Sequence, residues 1–156
     1  MNFRVVGFPA LALLIVPVLA FGQSKTRVQI YFDNPAMELA AQNRGDSSSL
    51  PVAVFPVLRT VSSKGVEKNA VAQLLKGPTS HESADGYETN LSNLRLRRFT
   101  VKKGTATVDL RGEFRLKGTL SGLRLRTQLE KTLRQFSSVR RIVLTINGRK
   151  DFDSLK

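Results

Sequence analysis

Two carboxylates that lie close together in the second half of the chain are of the residue type that hydrolyses polysaccharides. Asp109 lies on a stretch of alternating apolar and polar residues, and Glu113 follows that stretch. A pair of carboxylates flanking a glycosidic bond can act as general acid and as nucleophile or base. However, Asp109 falls on the polar face, close to Arg111 and Arg115, where an ion pair or a turn-forming hydrogen bond explains it better. We therefore expect a structural role for Asp109 and keep hydrolysis as an alternative.

The chain has one histidine, His81, whose acidic neighbours Glu82 and Asp85 could help it to hold a metal or to move a proton. A protein metal site normally needs three or four converging ligands, and a loop histidine beside acidic residues is usually solvated. Cysteine is absent from the sequence, which excludes thiolate ligands and cysteine nucleophiles. We therefore expect no metal, no cofactor and no catalytic residue, and the chain is predicted not to be an enzyme.

Positive charge is the strongest functional signal in the sequence. The formal net charge is +13, and the stretch from Arg95 to Lys150 contains sixteen Lys and Arg against three Asp and Glu. This excess is larger than solubility requires and predicts a surface for an anionic partner. The predicted surface comprises Arg97, Arg98, Lys102, Lys103, Arg111, Arg115, Lys117, Arg124, Arg126, Lys131, Arg134, Arg140 and Arg141.

Nucleic acid is a poor candidate for this partner. Proteins that bind nucleic acid usually combine basic residues with stacking aromatics or a recognition helix. Phe99, Phe114 and Phe136 fall on apolar positions of their segments, which predicts that they lie in the core.

A helix in the middle of the chain is predicted to end abruptly. Between residues 66 and 75 the apolar residues recur at helical spacing and form one stripe. Lys76 suits the negative end of the helix dipole, Gly77 can adopt the left-handed conformation that closes the last turn, and Pro78 cannot continue the helix. The segment from Thr79 to Leu94 has no sustained period, which predicts a long surface connection.

Alternating and β-branched stretches predict five strands and a second helix. The strands cover 27–32, 52–61, a β-hairpin from 96 to 110, and 140–146, and the second helix runs from 121 to 136. Pro56 cannot donate a ladder hydrogen bond, which favours an edge position or a bulge for its strand. The last strand is apolar on both faces and is expected at the centre of a sheet. The order β-β-α-β-β-α-β predicts an α+β fold, with two helices packed against one mixed sheet.

The N-terminus has the layout of a secretory signal peptide. Arg4 precedes an apolar run from 5 to 21, and Ala20 and Gly22 supply the small residues before a cut ahead of Gln23. The alternative is an uncleaved membrane anchor, for which this run is short. We therefore predict an exported protein and divide the chain into a signal peptide (1–22), a short N-terminal segment (23–27), one domain (28–150) and a tail (151–156).

Several short motifs, taken in order, resemble the GerMN domain, the sporulation and spore germination domain. They comprise Leu74, Leu75, Gly77 and Pro78 at the helix end, Val108, Asp109 and Leu110 in a later strand, and Phe136, Val139 and Gly148 near the end. The resemblance implies one α+β domain related to ring-building motifs, in a cell-envelope protein that assembles with other proteins and is not an enzyme. Many family members look like lipoproteins, whereas this chain has no cysteine to carry a lipid.

The function predicted from these observations is that of a non-catalytic, exported interaction module of the cell envelope. It would bind an envelope protein or a second copy of itself, and its basic half would tune that binding. The first alternative is an electrostatic binder of an anionic wall polymer or lipid surface. The second alternative is a hydrolase of wall polymer. A link to sporulation or germination is implied by the resemblance alone.

Overall fold

The computed structural model describes residues 24–45, 52–114 and 120–149. The predicted signal peptide and tail, and the basic residues Arg115 and Lys117, lie outside the described residues. None of the helices in these ranges has the length and apolar character that crossing a membrane requires. In chain order the elements are β1 Lys25–Phe32, α1 Pro35–Asn43, β2 Phe55–Ser62, α2 Val66–Lys76, α3 Ser80–Ala84, β3 Leu94–Lys102, β4 Thr105–Gly112, α4 Ser121–Arg134 and β5 Arg141–Ile146.

The α+β class is confirmed, and the five strands and two main helices follow one another in the predicted order. The structure adds two shorter helices, α1 and α3, and divides the strands between two sheets where one was expected. β1 and β2 form an antiparallel pair. The second sheet has the order β3-β4-β5, in which β3 and β4 form the predicted hairpin and β4 and β5 are parallel. A parallel pair needs a crossover connection, which α4 supplies.

Helix α1 begins at the residues that end β1. The side chain of Asn34 accepts a hydrogen bond from the backbone N–H of Met37 (3.1 Å), and Pro35 occupies the first turn, where its missing N–H is not needed. The same short stretch therefore stops a strand and starts a helix. No residue of α1 is buried, so no apolar stripe marks this helix in the sequence.

The positions of β2 and β5 in their sheets test two predictions. Pro56 pairs with Tyr31, and β2 has no second neighbour among the described strands, so the predicted edge position is confirmed. The prediction for the last strand is wrong, because β5 pairs with β4 alone in the described part of the chain and β4 occupies the centre. The apolar residues of β5 are mostly half-buried at this edge, so apolar side chains on both faces did not require a second neighbouring strand.

The outer edge of β1 is closed by side chains of α4 and the residue that follows it. The backbone N–H of Gln29 donates to Oε1 of Gln135 (2.9 Å), and Nε2 of Gln135 donates to the carbonyl of Gln29 (2.7 Å). The backbone N–H of Tyr31 donates to Oγ1 of Thr132 (3.2 Å). These side chains replace a third strand, and they satisfy backbone groups that would otherwise form an open edge.

One core joins both sheets to the two longer helices. The apolar stripe of α2 and the buried stripe of α4 pack in the same cluster as alternate residues of β1 and β4. The buried members include Ile30, Phe32, Ala70, Val71, Leu74, Ala106, Val108, Leu110, Leu125, Leu129 and Leu133. Because Val108 of β4 belongs to this same buried cluster, the core lies on one face of the three-stranded sheet, and the side chains of the opposite face point away from the described core.

The hairpin between β3 and β4 closes through a two-residue turn. Lys103 and Gly104 both have positive φ angles, 49° and 77°, as a turn that matches the twist of the flanking strands requires. The carbonyl of Gly104 accepts hydrogen bonds from the N–H groups of Arg140 and Arg141 (2.8 and 2.9 Å). The turn therefore also fixes the start of β5 beside β4.

The end of α2 is held by a residue of β2. Gly77 closes the helix with φ 79° and ψ −178°, a region that is essentially reserved for glycine. Nη2 of Arg59 donates to the carbonyl of Gly77 (3.0 Å), and Nη1 donates to the carbonyl of Gln73 (3.2 Å). Arg59 also forms an ion pair with Glu82 of α3 and lies over the ring of Phe32 at 5.3 Å. One side chain therefore joins β1, β2, α2 and α3.

Candidate anion-binding surface

On the exposed face of the three-stranded sheet, the charged residues are mostly arginine and lysine. Along β4, the residues between the buried Ala106, Val108 and Leu110 point away from the core. The register places Arg95 opposite Arg111, and both side chains are exposed. We define the outer sheet face by the side chains that share this side: Arg95, Arg97, Arg98, Thr100, Lys102, Thr105, Thr107, Asp109, Arg111, Arg141, Val143 and Thr145.

A β-bulge brings an extra arginine onto the outer sheet face. The register of β3 and β4 shifts between Leu96 and Arg98, so Arg97 and Arg98 together oppose Asp109. Nε of Arg97 donates to Oδ2 of Asp109 (2.6 Å), while the Arg97 side chain stays 64% exposed. Strict alternation along β3 would have allowed only one of Arg97 and Arg98 to face outwards. The bulge therefore increases the positive charge of this face.

Asp109 is engaged by its neighbours. Oδ1 accepts a hydrogen bond from Oγ1 of Thr145 (2.9 Å), and Oδ2 accepts the bond from Arg97. The hydrogen bond from Arg97 is the largest influence, and it holds the pKa of Asp109 below the ordinary value of 3.8. A carboxylate kept ionised in this way is a poor general acid. Asp109 therefore forms an ion pair, but its partner is Arg97 on the neighbouring strand, whereas Arg111 or Arg115 was expected from the sequence.

A cavity of about 360 Å³ lies where β4 and β5 end, and it is lined by Arg97, Leu110, Arg111, Asn147 and Gly148. Its wall is fixed by the side chain of Asn147. Oδ1 of Asn147 accepts from the N–H of Gly112 (3.1 Å), and Nδ2 donates to the carbonyl of Gly112 (2.8 Å). Two arginines thus line a recess in which Asn147 is tied to the backbone of Gly112 by two hydrogen bonds.

The basic residues of α4 form a different surface. α4 buries Leu125, Leu129 and Leu133 against the core, so its charged side chains lie away from the outer sheet face. Arg124 donates to both oxygens of Glu38 (3.0 and 3.3 Å) and lies 3.6 Å from Oδ1 of Asp33. The first influence on Arg124 is burial, which lowers its pKa, but these carboxylates outweigh it and raise the pKa above its ordinary value.

The remaining bases of α4 are exposed or paired nearby. Arg126 forms an ion pair with Glu130 (3.0 Å), and Arg134 lies 4.0 Å from the same carboxylate. Lys131 is exposed. The structure therefore separates the predicted basic surface into the outer sheet face and the side of α4, with Lys103 and Arg140 at the hairpin end.

Asp33 is the least satisfied polar group of the described core. It is 2% exposed, and its Oδ1 accepts no hydrogen bond. Burial is the largest influence and raises the pKa of Asp33, opposed by Gln128 and Arg124. Arg124 is therefore needed to balance buried charge, which leaves it less suited than the outer sheet face to a partner.

The other candidates for chemistry lie apart. Nδ1 of His81 lies 3.1 Å from Oδ2 of Asp85, and both side chains are largely exposed. Glu82 turns the other way, to Arg59. Burial raises the pKa of Glu82, but hydrogen bonds from Arg59 and the backbone of Thr79 outweigh burial and hold this pKa below its ordinary value. Within the described ranges no three His, Asp or Glu side chains come together as a metal site.

A second cavity, of about 480 Å³, lies beside the end of α2. Its charged lining residues are Lys76 and Glu88, which have opposite signs, and the rest are small or polar residues with Tyr87. It offers no excess of either charge to a ligand.

The residues of the GerMN-like motifs occupy structural positions. Leu74, Leu75, Val108, Asp109, Leu110 and Val139 are buried, and Phe136 packs against the core from its rim. Gly77 and Gly148 both have φ 79°, and Pro78 follows the end of α2. These motifs therefore describe how the chain folds, and the basic residues lie outside them.

Comparison with known proteins fits this arrangement. The family model named Germane, described as sporulation and spore germination, matches residues 29–152. The chain belongs to the Germane family. The predicted GerMN resemblance is therefore confirmed. Among curated proteins none matches the chain.

Two solved structures share the GerMN fold with the chain. The tandem GerMN domains of the sporulation protein GerM from Bacillus subtilis align with a TM-score of 0.56 and 17% identity, over 88% of this chain and 43% of that one. The first GerMN domain of the same protein aligns with a TM-score of 0.54 and 23% identity, over 80% of this chain and 85% of that one. The chain thus spans less than half of the tandem structure and matches one GerMN domain in size. Likeness at this identity concerns the fold.

Proposed function

We propose that the protein is a non-catalytic interaction module of the cell envelope, which binds a protein partner or a second copy of itself. Membership of a sporulation and spore germination family supports a role of this kind. The outer sheet face is the observation that carries the proposal. It is a three-stranded surface whose Arg and Lys side chains are exposed and whose one acidic residue, Asp109, is already paired.

The charge on the outer sheet face would influence how fast a partner binds and which partner is selected. Exposed charges that lie further apart than about 8 Å are largely screened at physiological ionic strength, whereas packed contacts are not. Complementary charge therefore speeds encounter more than it tightens the final complex. We propose that shape complementarity holds the partner and that the outer sheet face selects a partner with an acidic surface.

The proposal includes export. The apolar run from 5 to 21 and the small residues that follow it support a cleaved signal peptide, with the mature chain starting at Gln23. Anionic polymers, lipid surfaces and acidic proteins outside the cytoplasm would then meet the basic face. The candidate partners are accordingly an envelope protein or a second copy, and not nucleic acid.

The test uses the full chain with a C-terminal tag, isolated from the producing cell in the form that accumulates. Mass spectrometry of this form shows whether the N-terminus is Gln23. Sedimentation and pull-down from envelope extract are then compared at 0.15 M and about 1 M salt, where the screening length falls to roughly 3 Å. A complex that survives high salt supports the packed module, and the absence of association at either salt would refute it.

A second candidate function follows from the same face. If binding occurs at low salt alone, the protein is better described as an electrostatic binder of anionic wall polymer or lipid. The exposed Arg95–Arg111 pair favours this candidate, because two like charges placed opposite each other are destabilising unless an anion lies between them. Replacing Arg98 by Glu would then abolish binding, while Lys131→Glu on α4 provides the matched control of equal net charge.

A further inference from the structure

We infer that the cavity at the ends of β4 and β5 binds a phosphate group carried on a polyanionic chain, such as a polyol-phosphate polymer. The inference deepens the proposed function and rests on it only for the encounter with such polymers outside the cytoplasm. The site is defined by Arg97 and Arg111 in the cavity lining, with Arg95 beside Arg111 on the neighbouring strand.

The first argument is uncompensated charge. Arg95 and Arg111 are direct cross-strand partners, which places their Cβ atoms about 5 Å apart. Neither guanidinium makes a hydrogen bond or ion pair with any other described residue, and both side chains are exposed. Arg97 uses Nε for Asp109, so its two Nη groups remain for a ligand. Two arginines therefore line the recess, and a third, Arg95, is paired with one of them on the neighbouring strand.

The second argument is that the site is preorganised before a ligand binds. The bulge at Arg97 is a local departure from regular pairing, of the kind that re-aims a side chain. On the other side, Asn147 fixes both backbone groups of Gly112. A Cβ at Gly112 would lie 2.1 Å from the carbonyl oxygen of Asn93, and its φ is 142°, so this backbone admits glycine alone. A recess that is rigid before binding loses little entropy when it is filled.

The third argument concerns the shape of the anion. One arginine fork is enough to satisfy the two oxygens of a carboxylate. Arg97 and Arg111 line the cavity from two neighbouring strands, and Arg95 is paired with Arg111. Their guanidinium groups offer more donors than a carboxylate can use and suit the several oxygens of a tetrahedral phosphate, since arginine makes such bidentate contacts. A volume of about 360 Å³ is at the lower end of ligand cavities and leaves room for the neighbouring units of a chain. None of the residues that line the cavity is acidic, and both oxygens of Asp109, the acidic residue of the outer sheet face, are already engaged.

The experiment follows the backbone amides of the full chain by NMR. The protein, in the form that accumulates, is titrated with inorganic phosphate and with a glycerol-phosphate oligomer, each against sodium chloride of equal ionic strength. We expect saturable shifts centred on Gly112, Asn147 and Gly148. Arg111→Gln should weaken binding about tenfold or more, the loss expected for a charge-assisted hydrogen bond. Lys131→Gln, which removes an exposed charge from α4, should leave the affinity unchanged.

The controls make each result decisive. Because Arg111 is exposed and faces a like charge, Arg111→Gln is expected to fold, which the urea midpoint verifies; Arg97→Gln provides a second variant. Equal losses in Arg111→Gln and Lys131→Gln, or shifts spread evenly over all basic segments, would overturn the inference. Binding to phosphatidylglycerol vesicles without binding to the oligomer would overturn the polymer assignment. If the Arg111→Gln variant still forms the complex that survives high salt, the proposed interaction module is supported even when the phosphate-site inference is refuted.

Discussion

Replacing Arg59 by methionine removes the side chain that joins α2, α3 and Phe32 while keeping most of its length. Methionine can still cover the Phe32 ring. It cannot donate to the carbonyls of Gln73 and Gly77, and it leaves Glu82 without its cation. We expect Arg59→Met to lower the free energy of unfolding by far more than loss of a surface arginine does.

The magnitude follows from burial. The side chains of Arg59 and Glu82 are only 11% and 17% exposed. Solvation by water would therefore compensate little for the loss of their electrostatic interaction. Breaking a buried pair by removing one partner costs about 3–5 kcal/mol. The low end applies because both groups still touch solvent and Glu82 keeps its bond from the backbone N–H of Thr79 (2.7 Å). The expected loss is therefore about 3 kcal/mol.

Urea unfolding of the full chain, followed by circular dichroism, measures this loss. With a denaturant slope of about 2 kcal/mol per M, the midpoint should fall by roughly 1.5 M. Arg27→Met is the matched control, because Arg27 is an exposed arginine of the adjacent strand β1 and should change stability by no more than about 0.5 kcal/mol. Adding Glu82→Gln to Arg59→Met should restore part of the loss by removing the unpaired charge.

The pH dependence gives a second check of the same reasoning. The pKa of Glu82 is held below its ordinary value, so the pair stabilises the folded state above the unfolded pKa near 4.3 and loses this effect as the pH falls through the lower, folded pKa. The gap between wild type and Arg59→Met should therefore narrow at low pH. Equal stability of Arg59→Met and Arg27→Met at pH 7 would show that Arg59 is not the connection we describe.

Three further substitutions test other parts of the structure. Asp109→Asn should be less stable than wild type at pH 7, and the difference should vanish as the pH falls below 3.8 through the lowered pKa of Asp109, measured by urea midpoints; a constant difference would contradict the Arg97 pair. Thr132→Val should cost about 1–3 kcal/mol in the same assay, because the N–H of Tyr31 loses its acceptor; hydrogen exchange at Tyr31 should quicken, and unchanged protection would argue against edge closure. Lys103→Asn should raise the free energy of unfolding by about 0.5 kcal/mol, since asparagine tolerates a positive φ better; a loss would mean that Lys103 has a role besides the turn.

Periodic patterns allowed most of the regular structure to be predicted. α2 and α4 each bury one stripe, and β4 alternates between Val108 in the core and Thr107 outside, so spacing alone identifies them. α1 could not be found in this way, because none of its residues is buried and Asn34-Pro35 serves equally to end a strand and to start a helix. The last strand was misplaced because apolar residues on both faces describe composition and not the number of neighbours.

The candidate site was harder to predict than the fold. The sequence identifies a basic second half, but it does not show that the basic residues form two separate surfaces. The basic residues of β4 lie on the outer sheet face, whereas those of α4 lie on another side of the molecule. Alternation also cannot place the neighbours Arg97 and Arg98 on the same face, which the bulge does. Arg59 carries no local signal at all, since its partners Gln73, Gly77 and Glu82 lie 14 to 23 positions further along the chain.

The closure of β1 by α4 sets a limit on the order in which the chain can fold. Gln29 and Gln135 are 106 positions apart, and Tyr31 and Thr132 are 101 positions apart. While the C-terminal helix is not yet in place, the first strand has nothing on its outer side, and an unpaired edge of this kind invites pairing with other chains. The first strand of the chain is therefore among the last to be completed. Productive folding should begin from the later elements, with the β1–β2 pair consolidated when α4 packs against it.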